Sequence, residues 1–100
     1  MNMRVLKRSR RPPKKGDIFV LQFEAKPDVF WFGRVVRTDA TVGGFRNTIL
    51  IYVYNVSSGS KERIPLLRPA QLLVPPMATN RLPWSRGYFE TVDNRPISSQ

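Results

Sequence analysis

From Gly16 to Arg37 the chain holds two apolar-rich runs separated by a short polar break, the first of which reads as a half-buried strand. In the first run Phe19, Leu21 and Phe23 fall on one side of an extended chain and Ile18, Val20 and Gln22 on the other, the two-residue period of a strand. After Lys26-Pro27-Asp28, the second run puts Phe30, Phe32, Arg34 and Val36 on one side, and Trp31, Gly33, Val35 and Arg37 on the other. Turn residues follow at Thr38-Asp39, so the pattern predicts a β-hairpin. Gly33 lies inside the second strand, where a missing side chain weakens pairing unless a bulge, a bend or a close backbone approach needs the space. In a small sheet such a bend helps to curl it into a barrel.

Residues 39–47 contain Val42-Gly43-Gly44 and predict a flexible loop. Thr48 to Val56 is β-branched and aromatic with no glycine or proline inside, which predicts a central strand covered on both faces. Tyr52 and Tyr54 share a face with Leu50, as core residues or as a base-stacking platform. Ser57 to Lys61 is a turn leading to a short strand at Glu62-Arg63-Ile64, limited by Pro65. Pro69 to Leu73 has proline where a helix begins and predicts one or two helical turns, ended by Pro75-Pro76. Trp84 to Val92 returns to strand-like composition with Gly87 near its middle, and no internal repeat is present. The expected fold is mainly β, a small curled antiparallel sheet or SH3-like barrel of about five strands with one short helix. Three regions follow: a basic, disordered tail over 1–15, one β-rich domain over 16–93, and a frayed tail over 94–100.

A chain of 100 residues supports one small core, burying roughly 60–70% of the surface its unfolded form exposes. Cysteine and histidine are both absent, which removes thiolate chemistry, the commonest general base and the commonest metal ligand. No catalytic residue, metal or cofactor is expected. No apolar run approaches the about 20 residues of a membrane span, and no secretory signal pattern opens the chain, so the expected location is the cytoplasm, with no membrane partner. The net charge is +10, and seven of the 17 Lys and Arg residues precede residue 16, where no acidic residue occurs. In that tail Lys7, Arg8, Arg10, Arg11, Lys14 and Lys15 form a polyanion-binding candidate, able to hold phosphate backbones without reading sequence; the same segment also reads as a solubilising tail or an import cluster.

The carboxylates, Asp17, Glu24, Asp28, Asp39, Glu62, Glu90 and Asp93, form no close pair with acid/base spacing. A ribonuclease without histidine would need an Arg, Glu, Asp or Tyr constellation, for which Arg34 beside an acidic group is the candidate. A partner-binding surface is the stronger candidate: Trp31, Arg34, Arg37, Phe45 and Arg46 combine the aromatic and arginine anchors enriched at interface hot spots. An exposed strand edge offers sheet addition as a second route to a protein partner. The competing class is a nucleic-acid-binding barrel using the tail and any exposed face of Trp31, Tyr52, Tyr54 or Trp84.

Several short motifs occur in a characteristic order: Lys15-Gly16-Asp17-Ile18-Phe19, Gly33-Arg34-Val35, Leu73-Val74-Pro75-Pro76 and Trp84-Ser85-Arg86-Gly87-Tyr88-Phe89. In this the sequence resembles the immunity protein 26 family of bacterial polymorphic toxin systems, over about residues 14 to 97. The resemblance implies a non-catalytic protein that binds and neutralises a cognate toxin domain. It also implies structural roles: Gly16 and Asp17 at the entry turn, Gly33 and Gly87 relieving crowding, Trp84 and Phe89 filling the core. Complementary potentials steer association, so a basic neutraliser implies either a target with an acidic surface or a separate purpose for the tail.

Overall fold

The computed structural model describes residues 2–96. Five strands, β1 (Asp17–Leu21), β2 (Phe30–Val42), β3 (Phe45–Ser58), β4 (Met77–Thr79) and β5 (Glu90–Asn94), form one antiparallel sheet in the order β4-β3-β2-β1-β5. A single helical turn, α1 (Leu82–Ser85), precedes β5. The fold is mainly β, as the alternation predicts. Of the two expected forms, the open sheet is the one adopted: β4 and β5 stand at opposite ends of the order, and no pairing closes them among the described residues.

The predicted hairpin is present, with Ile18 opposite Arg34, Phe19 opposite Gly33, Val20 opposite Phe32 and Leu21 opposite Trp31. β1, expected to be half-buried, is buried along its whole length, because strand alternation sorts its side chains into core on both faces of the sheet. Phe19, Leu21, Val35, Ile49, Ile51 and Val53 share the larger cluster, which Trp84 and Phe89 cover. On the opposite face Ile18, Val20 and Phe32 are sealed by Leu6, Ile64, Leu67 and Val92. Gly33 lies within β2 and Trp84 and Phe89 fill the core as expected, whereas Gly87, expected to relieve strand crowding, lies in a turn after α1. Phe19 stacks on Phe89 at 4.4 Å and meets Trp84 edge-on at 5.3 Å. Asp17 is buried, its carboxylate accepting from the Lys14 N–H and from Asn94 Nδ2, both at 2.8 Å.

Four expectations are corrected. Residues 39–47 are not a loop: β2 and β3 continue through them to a two-residue turn at Gly43-Gly44, both with positive φ, the geometry that hairpin turns favour. Pro69 to Leu73 is not helical. The Asn55 N–H donates to the Gln71 carbonyl and the Leu73 N–H to the Val53 carbonyl, so an open strand edge takes the backbone groups that a helix would have used. The helix instead begins at Leu82, with Pro83 in its first turn and Asn80 Oδ1 accepting from the Leu82 N–H; Trp84 is therefore helical, Gly87 turns the chain at φ 84°, and the strand starts only at Glu90. Glu62 lies in a turn and no strand forms at 62–64.

The basic arm, expected as a mobile tail, is described in contact with the domain. Backbone bonds run from Arg4 to Gln22, Glu24 to Asn2, Leu6 to Gly87 and Ser9 to Trp84. At the other terminus the Arg95 N–H donates to the Gly16 carbonyl; the end of the expected frayed tail, 97–100, lies outside the described residues. No helix among the described residues is long and apolar enough to cross a membrane.

Candidate partner-binding cleft

Beside the β1–β2 pair, on the face carrying Ile18 and Arg34, the connection between β3 and β4 folds back over the sheet. Ile64 and Leu67 are drawn onto the second core cluster, and Pro65 and Pro69 restrict the backbone around them. Anchoring Leu67 leaves its neighbour Leu66 outward, 67% exposed. Between this connection, the sheet and the segment after β5 lies a cleft of about 690 Å³, its polar lining supplied by Arg34, Arg68 and Arg95 and its apolar lining by Leu66 and Pro69 among others.

The three arginines differ in their commitments. Arg34 is half-buried, and its Nη2 donates at 2.9 Å to the carbonyls of both Arg95 and Pro96. It thereby fixes one wall of the cleft. Its Nε is shielded without a hydrogen-bond partner among the described residues, so the polar work of this guanidinium falls to its outer nitrogens. Arg34 also lies against Tyr54, whose phenol is pushed up in pKa by burial, with the Arg34 charge opposing that shift. Arg95 Nε bonds Asp93 Oδ2 at 2.9 Å. The Asn94 N–H and then Arg95 hold the Asp93 carboxyl below its ordinary range, so this pair stays charged at neutral pH. Arg68 is exposed and has no ion pair among the described residues. No carboxylate lines the cleft itself.

A second concavity opens on the far side of Arg95, and there the charge is mixed: Glu62, Glu90 and Asp93 face Lys61, whose Nζ reaches Glu90 at 3.0 Å. The Ser60 hydroxyl, ahead of any other influence, lowers the pKa of Glu62. Arg95 thus stands at a boundary between a purely basic cleft and one containing acidic groups.

The five residues expected at a partner surface are dispersed. Trp31 lies on the Phe19 face, packed edge-on against Phe23 at 6.4 Å, whereas Arg34 opens onto the other face. A register shift between Val35 and Arg37 brings Arg37 opposite Leu50, and its side chain pairs with Asp39 at 3.2 Å. Phe45 pairs with Val42 beside the hairpin turn, and Arg46 follows it, exposed. Only Arg34 belongs to the cleft. Arg68 and Arg95 were missed, and their sequence signals are slight: an apolar pair between prolines for the first, and nothing local for the second, which meets Arg34 across 61 residues.

Lys7, Arg8, Arg10, Arg11, Lys14 and Lys15 all remain exposed along the arm. The aromatic platform that nucleic-acid binding would use is not presented with them: Tyr54 and Trp84 are each 2% exposed, and Trp31 and Tyr52 are half-buried. Among the described residues no His, Cys, Asp and Glu group is placed to hold a metal ion. The arrangement can bind an anionic group by charge-assisted hydrogen bonds, and it offers no nucleophile with an adjacent base. In comparison with known proteins, the family model described as Immunity protein 26 matches residues 14–100. No curated protein and no solved structure matches.

Proposed function

Since the chain belongs to the immunity protein 26 family, we propose that it binds a cognate toxin domain in the cytoplasm and neutralises it by stoichiometric complex formation, without catalysis. The observation that carries this reading is the family match, which runs from the entry turn before β1 through the end of the chain. The absence of histidine and cysteine from the sequence agrees with it, as does a surface where exposed arginines outnumber paired ones. Arginine suits such a role because its planar guanidinium makes paired hydrogen bonds to carboxylates and loses less conformational freedom per bond than lysine.

Co-expression tests the proposal. The toxin domain encoded beside this gene is induced in a susceptible host with and without the full chain, and the two proteins are then co-purified. Restored growth together with a one-to-one complex is the expected outcome. Growth arrest despite soluble expression of the chain, with no complex recovered, overturns the proposal. Protection at amounts of the chain far below the toxin would overturn the stoichiometric part alone, because one bound molecule can silence only one target.

A further inference from the structure

We propose that the cleft of Arg34, Arg68 and Arg95 is the docking site for the toxin domain, and that it takes an acidic segment carrying an apolar side chain. This deepens the immunity reading and rests on it. Three observations converge. The cleft lining contains three guanidinium groups and no carboxylate, so even with Arg95 already paired to Asp93 the lining that an entering carboxylate meets is net positive, in surroundings less polar than water. Arg68 has no ion pair among the described residues, leaving its donors available. Leu66 lines the cleft with 67% of its surface exposed, an apolar contact area beside arginine, a residue type enriched at interface centres.

The chemistry favours an acidic protein segment over a nucleic acid. Single-stranded nucleic acids are held by basic grooves with aromatic side chains on which bases stack, and the lining of this cleft contains no aromatic residue. Its apolar part is aliphatic and proline, suited to a Leu- or Val-sized side chain. The neighbouring concavity adds direction: with Glu62, Glu90 and Asp93 beyond Arg95, a partner's carboxylates are repelled from that side and confined to the span between Arg34 and Arg68. A target with an acidic surface at this contact would also be steered toward a chain of net charge +10.

The test uses the full chain in two arms. In the first, the isotope-labelled protein is titrated with a blocked peptide of alternating Asp, Glu and Leu, and separately with a short single-stranded RNA. The peptide is expected to shift the backbone amides of Leu66, Leu67, Arg68 and Ala70 and the guanidinium signals of Arg68 and Arg95. Peptide shifts elsewhere, no shifts, or equal shifts with RNA overturn the cleft assignment. In the second arm, affinity for the toxin domain encoded beside the gene is measured for Arg68→Glu and for Lys26→Glu, an equal charge reversal at an exposed turn outside the cleft. Arg68→Glu is expected to weaken binding about tenfold or more, and Lys26→Glu to stay within about twofold. Matching losses in both variants, or full affinity in Arg68→Glu, overturn the cleft while leaving the immunity reading intact. If the toxin domain does not bind even the parent chain, that reading fails, and the peptide arm alone decides the cleft.

Discussion

At Gly33 a missing side chain lets three strands meet. The residue pairs with Phe19 on one side and Val53 on the other, and a Cβ placed there would run into the Phe19 ring and approach the Tyr52 carbonyl to 2.8 Å. That ring also packs on Phe89 and Trp84, so it has no direction in which to retreat. Gly33→Ala should therefore destabilise the fold by about 2–3 kcal/mol, the upper part of the range for core overpacking, read as a fall in the urea midpoint at unchanged slope. Trimming the ring in Gly33→Ala/Phe19→Leu should recover part of the loss, a coupling that independent sites would not show. Tyr54 gives a prediction in pH. Burial raises its pKa above 10.0, with the Arg34 charge pulling the other way. An acid whose folded pKa is raised ionises first in the unfolded chain. Its contribution to stability is thus intact below pH 10.0 and is lost as pH rises through the folded value. Urea midpoints measured from about pH 9 to about pH 11 should fall, and Tyr54→Phe should flatten that fall; an unchanged slope would show that the phenol ionises as freely in the folded protein as in the unfolded one.

Among the elements, the β2–β3 ribbon depends most on a single turn. Gly43 and Gly44 have φ of 58° and 85°, and neither has a neighbouring atom that would obstruct a Cβ. Conformation alone decides what is tolerated there. Gly43→Asn should be nearly neutral, because asparagine accepts the left-handed region, whereas Gly44→Val should cost about 1–2 kcal/mol. Hydrogen exchange at Ala40 and Thr48, paired near the turn, should quicken in the valine variant before exchange in β1 does. The same ribbon marks how far the sequence is legible. β1 and the first half of β2 are visible because burial against a cluster on each face fills them with β-branched and aromatic residues between turn signals. Beyond Arg37 the ribbon has exposed positions at Asp39, Thr41 and Arg46, so no buried face imposes a period and the composition resembles a loop. Residues 71–73 fail for another reason. Their local preference is helical, and the edge of β3, remote in sequence, overrides it. The cleft was legible only at Arg34; Arg68 and Arg95 join it through chain crossings that no local pattern encodes.

For the molecule as a whole, the basic arm separates charge from structure. Its backbone bonds to Gln22, Gly87 and Trp84, and its Met3 and Leu6 side chains pack against the two core clusters, yet the charges of Lys7, Arg10 and Arg11 stay in water. Removing residues 2–9 should cost about 2–4 kcal/mol, from several backbone hydrogen bonds and two partly buried side chains. Replacing Lys7, Arg10 and Arg11 by glutamine should instead leave stability within about 0.5 kcal/mol, since exposed charges contribute little and these three repel one another. The substituted chain should still lose association rate with an acidic partner, and the loss should fade at high salt, because long-range steering is screened while short-range contacts are not. Thermal melts of both variants beside salt-dependent binding kinetics separate the two contributions. Should the deletion melt like the parent, the arm would add nothing to the stability of the folded domain, and its contribution would rest on its charges alone.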